Sequence, residues 1–175
     1  DTYTIPTGPT PTAENYSSII WSTSGTGTFD DDTSENPTYT PSQADIDAGS
    51  VELCLDVYPN NPCILELQEC MTLSIQKLPT VFAGDDDTSC GIDPYPLVDA
   101  TAENYQPGSI LWSSSGDGTF SDPTDINPTY FPGPDDKANL SVTLQVQVSP
   151  IAPCSVPPVT DQLVIFIQLN PTVEA

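Results

Sequence analysis

The chain has 175 residues, of which 25 are acidic and only Lys77 and Lys137 are basic; with no Arg or His, the formal net charge is -23. A surface that binds nucleic acid or anionic lipid needs clustered Lys and Arg, so both partners are excluded; the sign points to cations, cationic partners or a salty medium. No apolar run approaches the ~20 residues of a membrane span, and the N-terminus lacks a charged-then-apolar signal pattern. The chain therefore reads as a mature, soluble, non-inserting piece.

In chain order, the predicted elements come twice. Asp1-Thr2-Tyr3-Thr4-Ile5 aligns with Asp93-Pro94-Tyr95-Pro96-Leu97. Ala13-Glu14-Asn15-Tyr16 returns as Ala102-Glu103-Asn104-Tyr105, and Ile19-Ile20-Trp21-Ser22 as Ile110-Leu111-Trp112-Ser113. Each Trp lies mid-strand in a β-prone segment and reads as the core Trp of a sandwich. The loops Gly25-Thr26-Gly27 and Gly116-Asp117-Gly118 precede no helix, so they read as turns and not phosphate cradles.

Asn36-Pro37-Thr38-Tyr39 and Asn127-Pro128-Thr129-Tyr130 open the next strand with Pro at a permitted first position. Ser42-Gln43-Ala44-Asp45 predicts a capped single helical turn closed by Gly49, whereas Gly133-Pro134-Asp135-Asp136 predicts a tight turn, so this crossover is expected to vary and to hold no shared site. Val51, Leu53, Leu55 and Val57 alternate with polar or small residues, as do Val142, Leu144, Val146 and Val148. That period of two marks strands buried on one face. Met71, Leu73 and Ile75, and Leu163, Ile165 and Ile167, supply the return strand of each hairpin, across loops carrying Cys63 and Cys154.

Self-similarity fixes boundaries that local propensity cannot. It predicts one module over 1–80 and a second over 81–175. Pro79-Thr80-Val81 returns as Pro171-Thr172-Val173, which predicts a further module beyond the second and a first module truncated at its N-terminus.

A tandem module with an Ala-Gly-Asp entry, a strand-borne Trp, a Gly-x-Gly loop, Asn-Pro-Thr-Tyr and an alternating hairpin resembles the immunoglobulin-like, polycystic-kidney-disease-type repeats of large secreted Bacteroidetes surface adhesins. The resemblance implies an all-β fold of two tandem immunoglobulin-like antiparallel β-sandwiches. It also implies an extracellular, cell-surface rod or filament whose partners are further copies of the repeat and a cell-surface or glycan ligand.

Five cysteines leave one over. The equivalence of Cys63 and Cys154 predicts Cys90–Cys154 within the second module, a closure of ~4 kcal/mol in the chain-entropy model, with Cys63 pairing upstream or to another chain. Cys54 and Cys70 fall on the polar phase of adjacent strands, symmetric about the hairpin loop, and are expected to pair on the outer face. An inter-sheet bridge would need a cysteine facing the core.

Asp45 and Asp47 in the first crossover, with Asp85 and Asp86 beside the module joint, are the candidate ligands of a calcium ion stiffening that joint. The competing reading, for these and for Asp30-Asp31-Asp32, is a solvated acidic surface. With no His or Arg, general-base and oxyanion chemistry would fall to carboxylates alone, so the chain is not expected to be an enzyme. Two functions remain: a structural repeat acting as spacer and assembly module, or a carbohydrate- or protein-binding module using Tyr16 with Tyr105, or Tyr39 with Tyr130, as an aromatic platform.

Overall fold

The computed structural model describes residues 2–5, 13–90, 94–169 and 171. The second joint, Thr172 to Ala175, and the alignment partners Asp1 and Asp93 lie outside them. The chain divides into two compact units, Asp1–Lys77 and Leu78–Ala175.

Unit 1 contains β1 (Tyr3–Thr4), β2 (Tyr16–Thr23), β3 (Thr28–Phe29), β4 (Thr38–Thr40), a short helix α1 (Gln43–Ala48), β5 (Ser50–Pro59) and β6 (Leu67–Ser74). Its strands form two antiparallel sheets, ordered β1-β4-β3 and β2-β5-β6. Alternation decides which face is buried: Ile19 and Trp21 on β2, and Val51, Leu53 and Leu55 on β5, point inward, while Ile20 and Glu52 point out. Tyr39 of β4 and Ile5 complete the core from the other sheet. Each such side chain contributes roughly 1.5–3 kcal/mol by leaving water.

Unit 2 adds strands before repeating this plan. It comprises β7 (Thr80–Phe82), β8 (Asp87–Cys90), β9 (Tyr95–Pro96), β10 (Thr101–Glu103), β11 (Leu111–Ser114), β12 (Thr119–Phe120), β13 (Thr129–Phe131), α2 (Pro134–Asn139), β14 (Ser141–Val148) and β15 (Val159–Gln168). The sheet β9-β13-β12 faces β11-β14-β15-β8, and β7 pairs with β10. All pairings are antiparallel except β8, which runs parallel to β15, Asp87 opposite Ile165 and Cys90 opposite Gln168. The protein is thus all-β, built as immunoglobulin-like β-sandwich repeats.

The two units differ at the return strand. Leu163, Ile165 and Ile167 are 1%, 0% and 4% exposed. Their equivalents Met71, Leu73 and Ile75 are only half-buried. In unit 2 the strand β8 lies along the edge of β15 that faces away from β14; among the described residues of unit 1 β6 pairs with β5 alone.

The second crossover is not a tight turn. Gly133-Pro134-Asp135-Asp136 enters helix α2, with Pro134 at the start of the helix, where no N–H is needed, and Leu140 at φ 60° closing it. The first crossover is the capped turn its sequence predicts: Ser42 caps α1 through the N–H of Asp45, and Gly49 ends it at φ 76°.

Candidate functional site

In each unit the Gly-x-Gly loop, the aromatic ladder of the core and the crossover helix meet at one buried carboxylate. In unit 1 the rings of Trp21, Phe29 and Tyr39 follow one another at centroid distances of 6.0 and 5.0 Å; in unit 2 Trp112, Phe120 and Tyr130 do so at 5.9 and 5.0 Å. Each Trp Nε1 donates to a loop carbonyl, Ser34 O or Asp125 O, at 3.1 Å. The tyrosine hydroxyls are fully buried and donate to Asp45 Oδ2 at 2.8 Å and to Asp136 Oδ2 at 2.7 Å.

Asp45 also accepts the N–H groups of Thr26 at 3.0 Å, Gly27 at 2.9 Å and Ser42 at 2.9 Å. These donors, Thr26 first, outweigh desolvation and push its carboxyl down to about 2. Tyr39 and Tyr130 are pushed the other way, chiefly by burial. Asp136 accepts Gly133 N–H at 2.9 Å, and its Oδ1 lies against Gly116 without a hydrogen-bond partner among the described residues. A Cβ on Gly116 or Gly25 would overlap the aspartate carboxylate, so glycine is required there by close approach.

This geometry corrects two expectations. The crossover does hold a shared residue, the Asp45/Asp136 pair. Asp45 itself is not an available metal ligand, because its oxygens are engaged by four donors of its own unit. Asp47 is exposed, accepts Gln43 Nε2 at 3.0 Å and lies 3.9 Å from Lys77 Nζ. In unit 2, Asp86 Oδ1 accepts Val164 N–H at 2.7 Å, and Asp85 is exposed. Among the described residues the one group of three ligand-type side chains close together is Glu52, Cys54 and Cys70, whose two sulfurs are joined in a disulfide and so offer a metal no thiolate, and none of the four candidate aspartates belongs to it.

Turn chemistry accounts for much of the Asp30-Asp31-Asp32 run. Asp30 Oδ1 accepts Thr38 N–H at 2.7 Å, and Asp31 Oδ1 accepts the N–H and hydroxyl of Thr33 at 3.0 and 2.7 Å, bonds that hold both carboxyls below the ordinary value. Asp122 and Thr124 repeat the Asp31–Thr33 turn in unit 2.

Cys54 and Cys70 are directly opposite in the β5–β6 ladder and joined by a disulfide, with Cα atoms 4.0 Å apart. The predicted Cys90–Cys154 bond is overturned by register. Cys90 lies beside Gln168 at the end of β15, while Cys154 sits in the loop before Val159, where β15 begins. The strand between them spans roughly 30 Å at ~3.3 Å per residue, against the ~7 Å limit for bridged Cα atoms. Cys63 is exposed and unbonded in the β5–β6 loop.

Tyr39 and Tyr130 are core residues and offer no stacking face. Tyr16, its hydroxyl bonded to Glu35, and Tyr105 are half-buried against their own cores.

No family model matches the chain, and no curated protein does. Among solved structures it is similar to the human desmocollin-1 ectodomain, at 15% identity and a TM-score of 0.48 over 89% of this chain and 35% of that one. Mouse cadherin-23 EC22-24 matches at 13% identity and a TM-score of 0.48, over 86% of this chain and 54% of that one. Chicken VE-cadherin EC1-2 matches at 11% and 0.40, over 92% and 88%. The chain spans about a third of the first of these and about half of the second.

Proposed function

We propose that this chain is a structural repeat of an extracellular, rod-like or filamentous bacterial surface adhesin, of the polycystic-kidney-disease-type class its motifs resemble, and acts as spacer and assembly module. One observation carries the reading: the large side chains the two units share are interior. Trp21 and Trp112, Tyr39 and Tyr130, and Asp45 and Asp136 are buried in equivalent places. On the outer face of the hairpin strands equivalent positions diverge: Cys54 stands where unit 2 has Gln145, Cys70 where it has Gln162, and Ser74 where it has Phe166. Duplication that preserves the large core side chains while the outer face of the hairpin drifts suits a module copied for reach.

The acidic surface fits the same role, since uniform charge keeps an extended array soluble and apart from its neighbours. The test is immunogold electron microscopy of the source cells with antibody raised against the chain. Label at regular intervals along surface fibres is expected; label confined to the cytoplasm, or to single points on a secreted enzyme, sinks the reading.

A further inference from the structure

The larger sheet of each unit turns one face to the core and one outward, and the two outward faces differ in charge. In unit 1 that face carries Glu52 and Asp56 on β5, and Asp56 Oδ1 accepts Gln68 Nε2 at 2.7 Å. In unit 2 Thr143 and Gln147 stand at those positions, and no outward residue of β8, β11, β14 or β15 is charged, in a chain of net charge -23. The sheet is described from one edge strand, β11, to the other, β8.

Gln145 and Gln162 stand opposite each other near the centre of this face, with Ser113 on the other side of Gln145. The side-chain amides of Gln145, Gln147 and Gln162 make no hydrogen bond to another described residue. Phe166 is 50% exposed, lies in line between Ser141 and Thr88, and with Leu140 walls a shallow groove.

The chemistry of the face selects its occupant. Amides and hydroxyls both donate and accept, as the hydroxyls of a sugar do, so the two pair in either sense, whereas a carboxylate only accepts. An exposed phenyl ring presents its negative π face to the C–H groups of a sugar ring. The charge of -23 repels uronate-bearing or sulfated chains, which leaves an uncharged one. A second copy of this chain is disfavoured by the same charge and by size. At about 4.8 by 3.3 Å per residue the four strands present roughly 400 Å², against the ~800 Å² per partner of a stable protein interface.

We propose that the outer face of β11-β14-β15-β8 binds a neutral, linear polysaccharide chain, its hydroxyls paired with the Gln145, Gln147 and Gln162 amides and one sugar ring stacked on Phe166. The site belongs to unit 2 alone, because unit 1 has Cys54, Asp56, Cys70 and Ser74 in those four places. It goes beyond the spacer reading and fails separately from it: a spacer with an inert face remains a spacer.

The test titrates the full 175-residue chain, isotope-labelled, with cellohexaose, laminarihexaose, mannohexaose and chitohexaose, and with a hexamer of galacturonic acid as the acidic control. Saturable shifts of the Gln145, Gln147 and Gln162 side-chain amides with at least one neutral hexamer are expected, and none with the acidic one. Q145A/Q162A and F166S should each weaken that binding roughly five- to tenfold while keeping the parent's melting temperature. The proposal is overturned if no neutral hexamer binds saturably, if the acidic hexamer binds the face equally well, or if the shifts fall on other residues. It is also overturned if the same amides shift when the chain alone is concentrated, which would make the face a contact between copies.

Discussion

Asp117 caps α2 from outside the helix: its Oδ1 accepts the N–H of Asp135 at 3.1 Å, with the N–H of Asp136 at 3.4 Å. Unit 1 solves the same problem from within, Ser42 Oγ taking the N–H of Asp45 at 3.2 Å while bonded to Thr26 Oγ1 at 2.6 Å. The cap residue and the loop residue have exchanged duties, Ser42 with Thr26 in one unit and Gly133 with Asp117 in the other. A Cβ on Gly133 would overlap the Asp117 carboxylate, which makes the two solutions mutually exclusive.

That exclusion predicts strong coupling. D117A should cost about 1 kcal/mol, the worth of an N-cap. G133S alone should cost more, through overlap, and G133S combined with D117T should recover most of the loss. Denaturant titration of the four proteins gives the coupling energy, which additive effects would reduce to zero.

Acid should loosen unit 1 through Asp45. Its folded pKa of about 2 lies below the ordinary 3.8, so the carboxylate's contribution is complete above about pH 4 and fades as pH falls toward 2. Thermal scans across that window should show the melting temperature falling less steeply in D45N than in the parent. Equal slopes would place the acid sensitivity elsewhere.

G116A and G25A each force a methyl group into an aspartate carboxylate. A loss of roughly 2–4 kcal/mol is expected from overlap or from expulsion of the carboxylate from its donors, measured by denaturant unfolding. Gly108, where a Cβ would meet nothing within 4 Å but φ is 79°, should cost only about 1 kcal/mol on change to Ala.

Reduction should weaken unit 1 alone. The Cys54–Cys70 bridge closes a separation of 16 residues, worth about 3 kcal/mol in the entropy model. Non-reducing peptide mapping should recover Cys54 linked to Cys70 and no Cys90–Cys154 peptide; recovery of the latter would overturn the β8–β15 register.

The sequence made the alternating strands and the two tryptophans legible, because burial of one sheet face writes itself as a period of two. The Cys54–Cys70 pair was legible for the same reason, as phase plus symmetry about a hairpin. Asp45 and Asp136 were not: a carboxylate satisfied by loop amides looks in sequence like a solvated one. The available signal was the Tyr39–Asp45 spacing, repeated as Tyr130–Asp136. Cys90 misled because equivalence in a repeat gives position within the module but not which end of a sandwich a parallel strand reaches.

The most direct test is to pull the chain by its ends with a single-molecule instrument. Two separately folding units that hold tension should give two unfolding events, and reduction should lengthen only one of them, by about 55–60 Å, as the 16-residue span behind Cys54–Cys70 is released at ~3.6 Å per residue. A single cooperative event, or increments unchanged by reduction, would contradict the spacer built from two independent sandwiches.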